Sequence, residues 1–218
     1  MAKHIIIVDY GMGNLTSVSN ALKFLGYFPE TTTDKTRLLV ADAVILPGVG
    51  AFAQAMKNLS RLKFIPVLNK LVKEQGVPFL GICLGMQLIA ENSTEMGLHE
   101  GLGWIRANVD EISTTNNYPV PHVGWNDIHL CKLSPLFATL PKEAHFYFDH
   151  SFHMICKNQE DVVAVCNYGV DIVAAVRHRN IFATQFHPEK SQVMGLKLLR
   201  NFLNHVEAGG VLGNISPC

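Results

Sequence analysis

Short apolar runs alternate with amphipathic segments through the first half of the chain, and that alternation leaves few folds open. Ile5 to Val8 precedes a helix predicted from Leu15 to Leu25. Ala43 to Leu46 precedes helices on either side of Arg61, and Pro78 to Ile82 precedes a helix predicted from Leu84 to Glu91. Unbroken apolar runs of this length are strands covered on both faces, and strands separated by helices pair in parallel. The pattern predicts an α/β fold with an open, mostly parallel central sheet and helices on both faces.

Local signals support the boundaries. Asn14 is the predicted N-cap of the first helix, Leu15, Val18, Leu22 and Leu25 form its apolar stripe, and Gly26 stops it. Pro66 is read as beginning a later helix and Gly76 as ending it. From Trp104 to about Arg177 the pattern changes to short β-type runs, Tyr118 to Val123, His145 to Phe148, Val162 to Val165 and Ile172 to Val176, which predict a smaller antiparallel region. The chain then returns to the core with a strand from Ile181 to Gln185 and a final helix from Gln192 to Val206, whose stripe is Val193, Leu196, Leu199, Leu203 and Val206. Residues 1–207 read as one domain and 208–218, rich in glycine, as a loose tail.

Eighteen basic and eighteen acidic residues cancel, so the overall charge gives no support for nucleic acid or an anionic membrane as partner. No apolar stretch approaches the ~20 residues that span a bilayer, and the start of the chain is too short in charge and apolar length for a signal peptide; a cytoplasmic protein is expected. Five cysteines, none in Cys-x-x-Cys spacing, argue against a disulfide framework or a zinc ribbon. His150 and His153 lie in an extended segment where an odd separation sends them to opposite faces, so no metal is assigned.

In an open parallel sheet, ligands sit beyond the carboxyl ends of the strands, and three glycine-bearing loops fall there. Tyr10 to Asn14 is not a dinucleotide fingerprint, because Thr16 stands where the third glycine belongs. The turn Pro47-Gly48-Val49-Gly50 offers amides unshielded by bulky side chains, which with the Leu84 amide could form an oxyanion hole. The third loop is Gly81-Ile82-Cys83-Leu84-Gly85, a strand-to-helix bend with Cys83 at its apex and glycines two residues to either side. This is the spacing of a nucleophile elbow, and a following helix aims amides at the sulfur and favours thiolate. Far downstream, Gln185-Phe186-His187-Pro188-Glu189 places an imidazole and a carboxylate at i and i+2, so that Glu189 can hold the tautomer of His187 while His187 takes the thiol proton. A cysteine alone reads as a small core hydrophobe, but the elbow and the carboxylate-backed histidine together read as nucleophile, base and orienter.

The motifs Gly-Ile-Cys-Leu-Gly-Met-Gln at 81–87, Pro-Gly-Val-Gly-Ala-Phe at 47–52 and Gln-Phe-His-Pro-Glu-Lys-Ser at 185–191 resemble the triad-type, class I glutamine amidotransferases, whose sheet is flavodoxin-like. Asp9 to Asn14, Pro121 to Asn126, Tyr147 to Phe152 and Asn167-Tyr168-Gly169 look like the glutaminase branch that serves imidazole glycerol phosphate synthases in histidine biosynthesis. The resemblance implies hydrolysis of glutamine to glutamate and ammonia by Cys83, His187 and Glu189, without a cofactor. It also implies oxyanion amides at Val49, Gly50 and Leu84, and glutamine binding by Gln87, Glu95, His150, Ser151 and Phe152. The implied partner is a (β/α)8-barrel cyclase that receives the ammonia through a protected path in a heterodimer, docked near Asn14, Trp125 and Asn126. Turnover that is low alone and rises on docking is expected with it.

Two departures keep the ammonia acceptor open. Asp149 stands where that branch has an apolar residue before its histidine, and Ala174 to Arg177 before Asn180-Ile181-Phe182 resembles a paralogous branch that pairs with an amidino-sugar synthase for surface polysaccharide. Other readings of the same residues are a cysteine hydrolase of the peptidase kind, which would not need Gln87 or His150-Ser151, and a non-catalytic regulatory subunit, which would not need all of Cys83, His187 and Glu189.

Overall fold

Ile5, Ile6, Ile7 and Val8 are all buried, because the strand they form is covered on both faces. Alternate side chains of that strand join different cores: Ile5 and Ile7 pack with Val18, Leu22, Leu198 and Phe202, whereas Ile6 and Val8 pack with Phe52, Leu59, Phe64 and Leu68. The computed structural model describes residues 3–113, 118–141 and 143–209.

The main sheet begins with β1 (Ile5–Val8), β2 (Glu30–Thr32), β3 (Ala43–Gly48) and β4 (Phe79–Cys83). Helix α1 (Leu15–Phe24) follows β1, and α2 (Lys35–Leu38) follows β2. Helices α3 (Phe52–Arg61) and α4 (Phe64–Leu68) follow β3, with α4 running on into a π-helical turn at Asn69–Glu74. After β4 come the short α5 (Leu84–Gln87), β5 (Asn92–Ser93), β6 (His99–Glu100) and β7 (Ala107–Glu111). Next are β8 (His122–Asp127), β9 (His129–Leu130), β10 (His145–His150) and β11 (Phe152–Cys156). The chain closes with β12 (Val162–Asn167), β13 (Asp171–His178), β14 (Ile181–Thr184) and α6 (Gln192–Glu207).

The eight-stranded sheet has the order β2-β1-β3-β4-β14-β13-β12-β9, parallel from β2 to β14 and antiparallel beyond. A pair, β10-β8, and a four-stranded sheet, β11-β7-β5-β6, make up the rest. The parallel sheet with helices on both faces is as the alternation predicts. The antiparallel part is more divided than expected, since β12 and β13 extend the main sheet rather than forming a region apart.

Several boundaries move for identifiable reasons. The strand expected at Tyr118 to Val123 forms instead at His122–Asp127, because Pro119 and Pro121 remove two backbone donors from the earlier stretch. The helix after Cys83 ends at Gln87 rather than Glu91. The Glu91 amide, which a longer helix would give to the Gln87 carbonyl, donates instead to the Ala107 carbonyl, and the Gln87 carbonyl accepts from the Ala90 amide in a tighter turn. Helix α4 starts at Phe64, two residues ahead of Pro66, after Lys63 in a left-handed turn. The last strand stops at Thr184, and Val193 in the predicted stripe of α6 is 59% exposed. At the first helix, Asn14 accepts from the Ser17 amide and Gly26 has φ +88°. The tail predicted at 208–218 lies, from residue 210 on, outside the described residues.

Candidate active site

Parallel pairing brings three loops together at one end of the sheet. Gly48 of β3 is in register with Cys83 of β4, and Thr184 of β14 pairs with Ile82, so the Pro47 to Gly50 turn and the Gln185 to Glu189 segment flank the same residue. Cys83 has φ +54° and ψ −111°, a conformation of the kind that costs about 1–3 kcal/mol and persists only where its surroundings enforce it.

The flanking glycines do the enforcing. A Cβ on Gly85 would lie 1.8 Å from the Leu46 carbonyl oxygen, and one on Gly81 would lie 2.7 Å from the Gly85 carbonyl oxygen. The bend therefore closes only with hydrogen at both positions. Gly48 is equally confined, with the Tyr10 hydroxyl 2.3 Å from where its Cβ would be. That hydroxyl has no hydrogen-bond partner among the described residues, and burial, reinforced by charge on Cys83, pushes the phenol well above its usual range.

His187 is 2% exposed, and its Nδ1 is 2.7 Å from Oε1 of Glu189. The turn carrying both is fixed to β10: the His187 amide donates to the Tyr147 carbonyl, and the Ser191 hydroxyl donates to the His187 carbonyl while accepting from the Tyr147 amide. Burial alone would lower the His187 pKa, but Cys83 and Glu189 together overcome it and hold the imidazole at about 10. Nε2 is buried and makes no hydrogen bond of ordinary geometry among the described residues, although His187 is electrically coupled to Cys83.

In front of the sulfur is a cavity of about 350 Å³, at the lower end of the range for small-molecule sites. Val49, Gly50, Cys83 and Leu84 line one wall; Gln87, Glu95, His150, Ser151 and Phe152 line the rest, together with Pro121 and Asp149. Several of these side chains are already engaged. Glu95 accepts from the Phe52 amide at 2.6 Å, capping α3, whose N-cap Ala51 offers no side-chain oxygen. Gln87 Nε2 donates to the Phe152 carbonyl at 2.8 Å, and both ring nitrogens of His150 have protein partners.

The residues predicted for docking are at the surface near this site. Asn14 caps α1, which packs on the turn holding Glu189; Trp125 is 50% exposed; and Asn126 is half-buried on the same strand. Trp125 neighbours Tyr147, over whose ring Lys190 Nζ sits 5.3 Å from the centroid, and Lys190 also pairs with Asp149 at 3.5 Å. Two polar residues at the centre were not singled out from sequence: Gln185, fully buried with Nε2 3.7 Å from the Cys83 sulfur, and His122. Both stand inside motifs quoted above, Gln185 in 185–191 and His122 in Pro121 to Asn126, but the apolar strand before Gln185 hides it and nothing local gives His122 a role.

Residues 6–206 match the family model described as Glutamine amidotransferase class-I. The chain belongs to that family. Among its members it is similar to imidazole glycerol phosphate synthase subunit HisH 1 of Campylobacter jejuni (strain RM1221), 46% identical over 199 residues, 91% of this chain and 98% of that one. It is likewise similar to subunit HisH of Geobacter sulfurreducens, 42% identical and covering 91% of this chain and 97% of the relative. Among solved structures, a glutamine amidotransferase superposes with TM-score 0.73 at 22% identity, covering 93% of this chain and 98% of that one. PurLQS from Thermotoga maritima gives a TM-score of 0.70 at 21% identity, covering 94% of this chain and 100% of the matched one. These last two speak to the fold alone. Among the described residues no group of His, Cys, Asp or Glu could hold a metal ion, and no helix is long and apolar enough to cross a membrane.

Cys131, Cys156 and Cys166 are unpaired, and burial pushes Cys156 and Cys166 up to about 12.

Proposed function

We propose that this chain is the glutaminase subunit of an imidazole glycerol phosphate synthase, acting in the cytoplasm and passing ammonia to a (β/α)8-barrel cyclase in a heterodimer. The observation that carries the reading is the strained bend at Cys83 with a carboxylate-backed, cation-favouring imidazole behind it and a polar cavity in front.

Cys83 Sγ, its proton already resting on the cationic His187, attacks the side-chain amide carbon of glutamine as a thiolate, giving a tetrahedral oxyanion held by the amides of Val49, Gly50 and Leu84. Collapse breaks the C–N bond, and His187 returns the proton to the departing nitrogen, which leaves as ammonia. His187 then takes a proton from water as the hydroxide adds to the thioester; release of glutamate expels the sulfur as thiolate and restores its pairing with the protonated His187. Glu189 holds His187 in the tautomer that faces the sulfur. Glu95 suits the α-ammonium of glutamine and the donors around Ser151 its α-carboxylate, with Gln87 and Phe152 closing the cavity. His150 contributes through its main chain, its ring nitrogens being occupied within the protein. Asn14, Trp125 and Asn126 face the cyclase, and residues 1–207 act as one amidotransferase domain.

Asp149 and Ala174 to Arg177 favour a second acceptor, the amidino-sugar synthase of the paralogous branch, with the same half-reaction here. An electrophilic glutamine analogue is expected to label Cys83 alone, with glutamine protecting it and Cys83→Ala abolishing it. Labelling that glutamine does not slow would sink the glutaminase reading. Affinity capture followed by assay of the captured barrel for cyclase or amidino-sugar activity decides the acceptor.

A further inference from the structure

His122 is 2% exposed, its ring stacked against Phe148 at 4.7 Å and Tyr168 at 3.9 Å between centroids. Its Nδ1 is 3.0 Å from Nε2 of His150, and Nδ1 of His150 is 2.8 Å from the Phe152 carbonyl oxygen. A carbonyl only accepts, so His150 carries its proton on Nδ1 and accepts at Nε2. His122 must then carry its proton on Nδ1 as well, leaving its Nε2 to accept from Nδ2 of Asn126 at 3.3 Å. The Asn126 amide is oriented independently, because Nδ2 also donates to the Asn167 carbonyl at 3.0 Å and Oδ1 accepts from the Asp127 amide at 2.8 Å. Both ends of the run demand the same arrangement. A second proton on either ring would set two donors face to face; burial already holds His122 down to about 4 and His150 to about 3.

The run continues past Phe152. Gln87 Nε2 donates to the same carbonyl at 2.8 Å and to Gln185 Oε1 at 3.1 Å. That fixes the Gln185 amide, so its Nε2 is the atom 3.7 Å from the Cys83 sulfur. We propose that His122 and Gln185 are positioning residues of the glutaminase reaction, members of one hydrogen-bond chain, with every donor assigned, that joins Asn126 on the outer face to Sγ of Cys83.

The inference rests on the glutaminase reading. Gln185 holds an N–H on the sulfur, where it favours the charged form that attacks and that leaves when the thioester is hydrolysed. His122 holds His150, and through it the Phe152 carbonyl in the cavity wall. A partner that displaces Asn126 thereby has a continuous polar path to the nucleophile. The titratable groups that act on the sulfur from other elements are His187, after β14, and the neutral phenol of Tyr10, after β1, and neither is altered in the variants below.

The test combines nuclear magnetic resonance with alkylation. In full-length protein carrying ¹⁵N-histidine at pH 7, His122 and His150 are expected to be neutral with the proton on Nδ1. A proton on Nε2 of either ring, or a charged ring, overturns the chain. Gln185→Glu keeps the size but puts an acceptor against the sulfur. The pH profile of iodoacetamide alkylation, read by mass spectrometry at Cys83, is expected to move to higher pH, with kcat down about tenfold or more. Gln185→Met, which keeps the bulk and adds no charge, moves the profile the same way by less and serves should Gln185→Glu not fold. Profiles that superpose on wild type overturn the role of Gln185. His122→Phe keeps the ring stacking and is expected to raise the KM for glutamine about fivefold or more; an unchanged KM overturns the role of His122. Should wild type with its cyclase release no ammonia from glutamine, the glutaminase reading fails, while the tautomers and the alkylation profile still decide the chain.

Discussion

The two walls of the cavity are held in opposite ways. On the β3-β4 side, geometry is set by backbone: Gly85 against the Leu46 carbonyl, Gly81 against Gly85, and Cys83 in a strained conformation, with a protonation-favouring His187 behind. On the β8-β10 side, geometry is set by side chains: His122, His150, Asn126 and Gln87 engage one another and the Phe152 carbonyl, and both histidines are held neutral. The first wall tolerates no added atom, the second no added proton. On the proposed reading, strain and close packing suit a nucleophile that must not move, whereas hydrogen bonds can be re-formed by a partner or a ligand.

The largest effect expected on the backbone-held side comes from its base. Glu189→Gln keeps the shape but removes the carboxylate that orients His187, and ammonia release is expected to fall roughly 10²- to 10⁴-fold in kcat. A loss under about fivefold in a coupled glutamate dehydrogenase assay would mean the turn positions His187 without its acid. Next is Gly85→Ala, which sets a methyl carbon on the Leu46 carbonyl oxygen and is expected to cost roughly 3 kcal/mol or more in urea unfolding. A stable, active Gly85→Ala protein would show that the bend relaxes.

The smallest effect is the most telling, because the two walls should respond to pH with opposite sign. His187 is raised from 6.5 to about 10, so its contribution to stability is complete below pH 6.5 and is lost as pH rises through about 10. His122 and His150 are lowered from 6.5 to about 4 and about 3, so their contribution is complete above pH 6.5 and is lost as pH falls through those values. Urea midpoints across this range are expected to show His187→Gln flattening the alkaline limb and His122→Phe the acid limb. If either variant flattens the other limb, the contrast between the walls is wrong.

That contrast also explains what could be read from the sequence. The backbone-held wall is written in short motifs, since steric needs are local: two glycines around Cys83, a Pro-Gly turn, and an imidazole and carboxylate two apart. The apolar runs of the parallel strands were legible because burial on both faces leaves no polar alternation to confuse them. The side-chain-held wall is dispersed over residues 87, 122, 126, 150 and 185, and nothing local marks His122 as the partner of His150. The same limit applies to the short elbow helix, cut at Gln87 because a distant residue, Ala107, takes the Glu91 amide. Pro119 and Pro121 are local signals against a strand at Tyr118, since each lacks a backbone donor, and the strand begins only after them, at His122.

The pairing of β14 with β4 has a consequence for how this protein is made. Cys83 emerges from the ribosome long before His187, and its imidazole neighbour arrives only when β14 docks beside β4. Until then the thiol lies on an unfinished sheet without that imidazole. On the proposed reading, synthesis itself acts as a safety catch, and a chain cut short before that late strand would be harmless to the free glutamine around it.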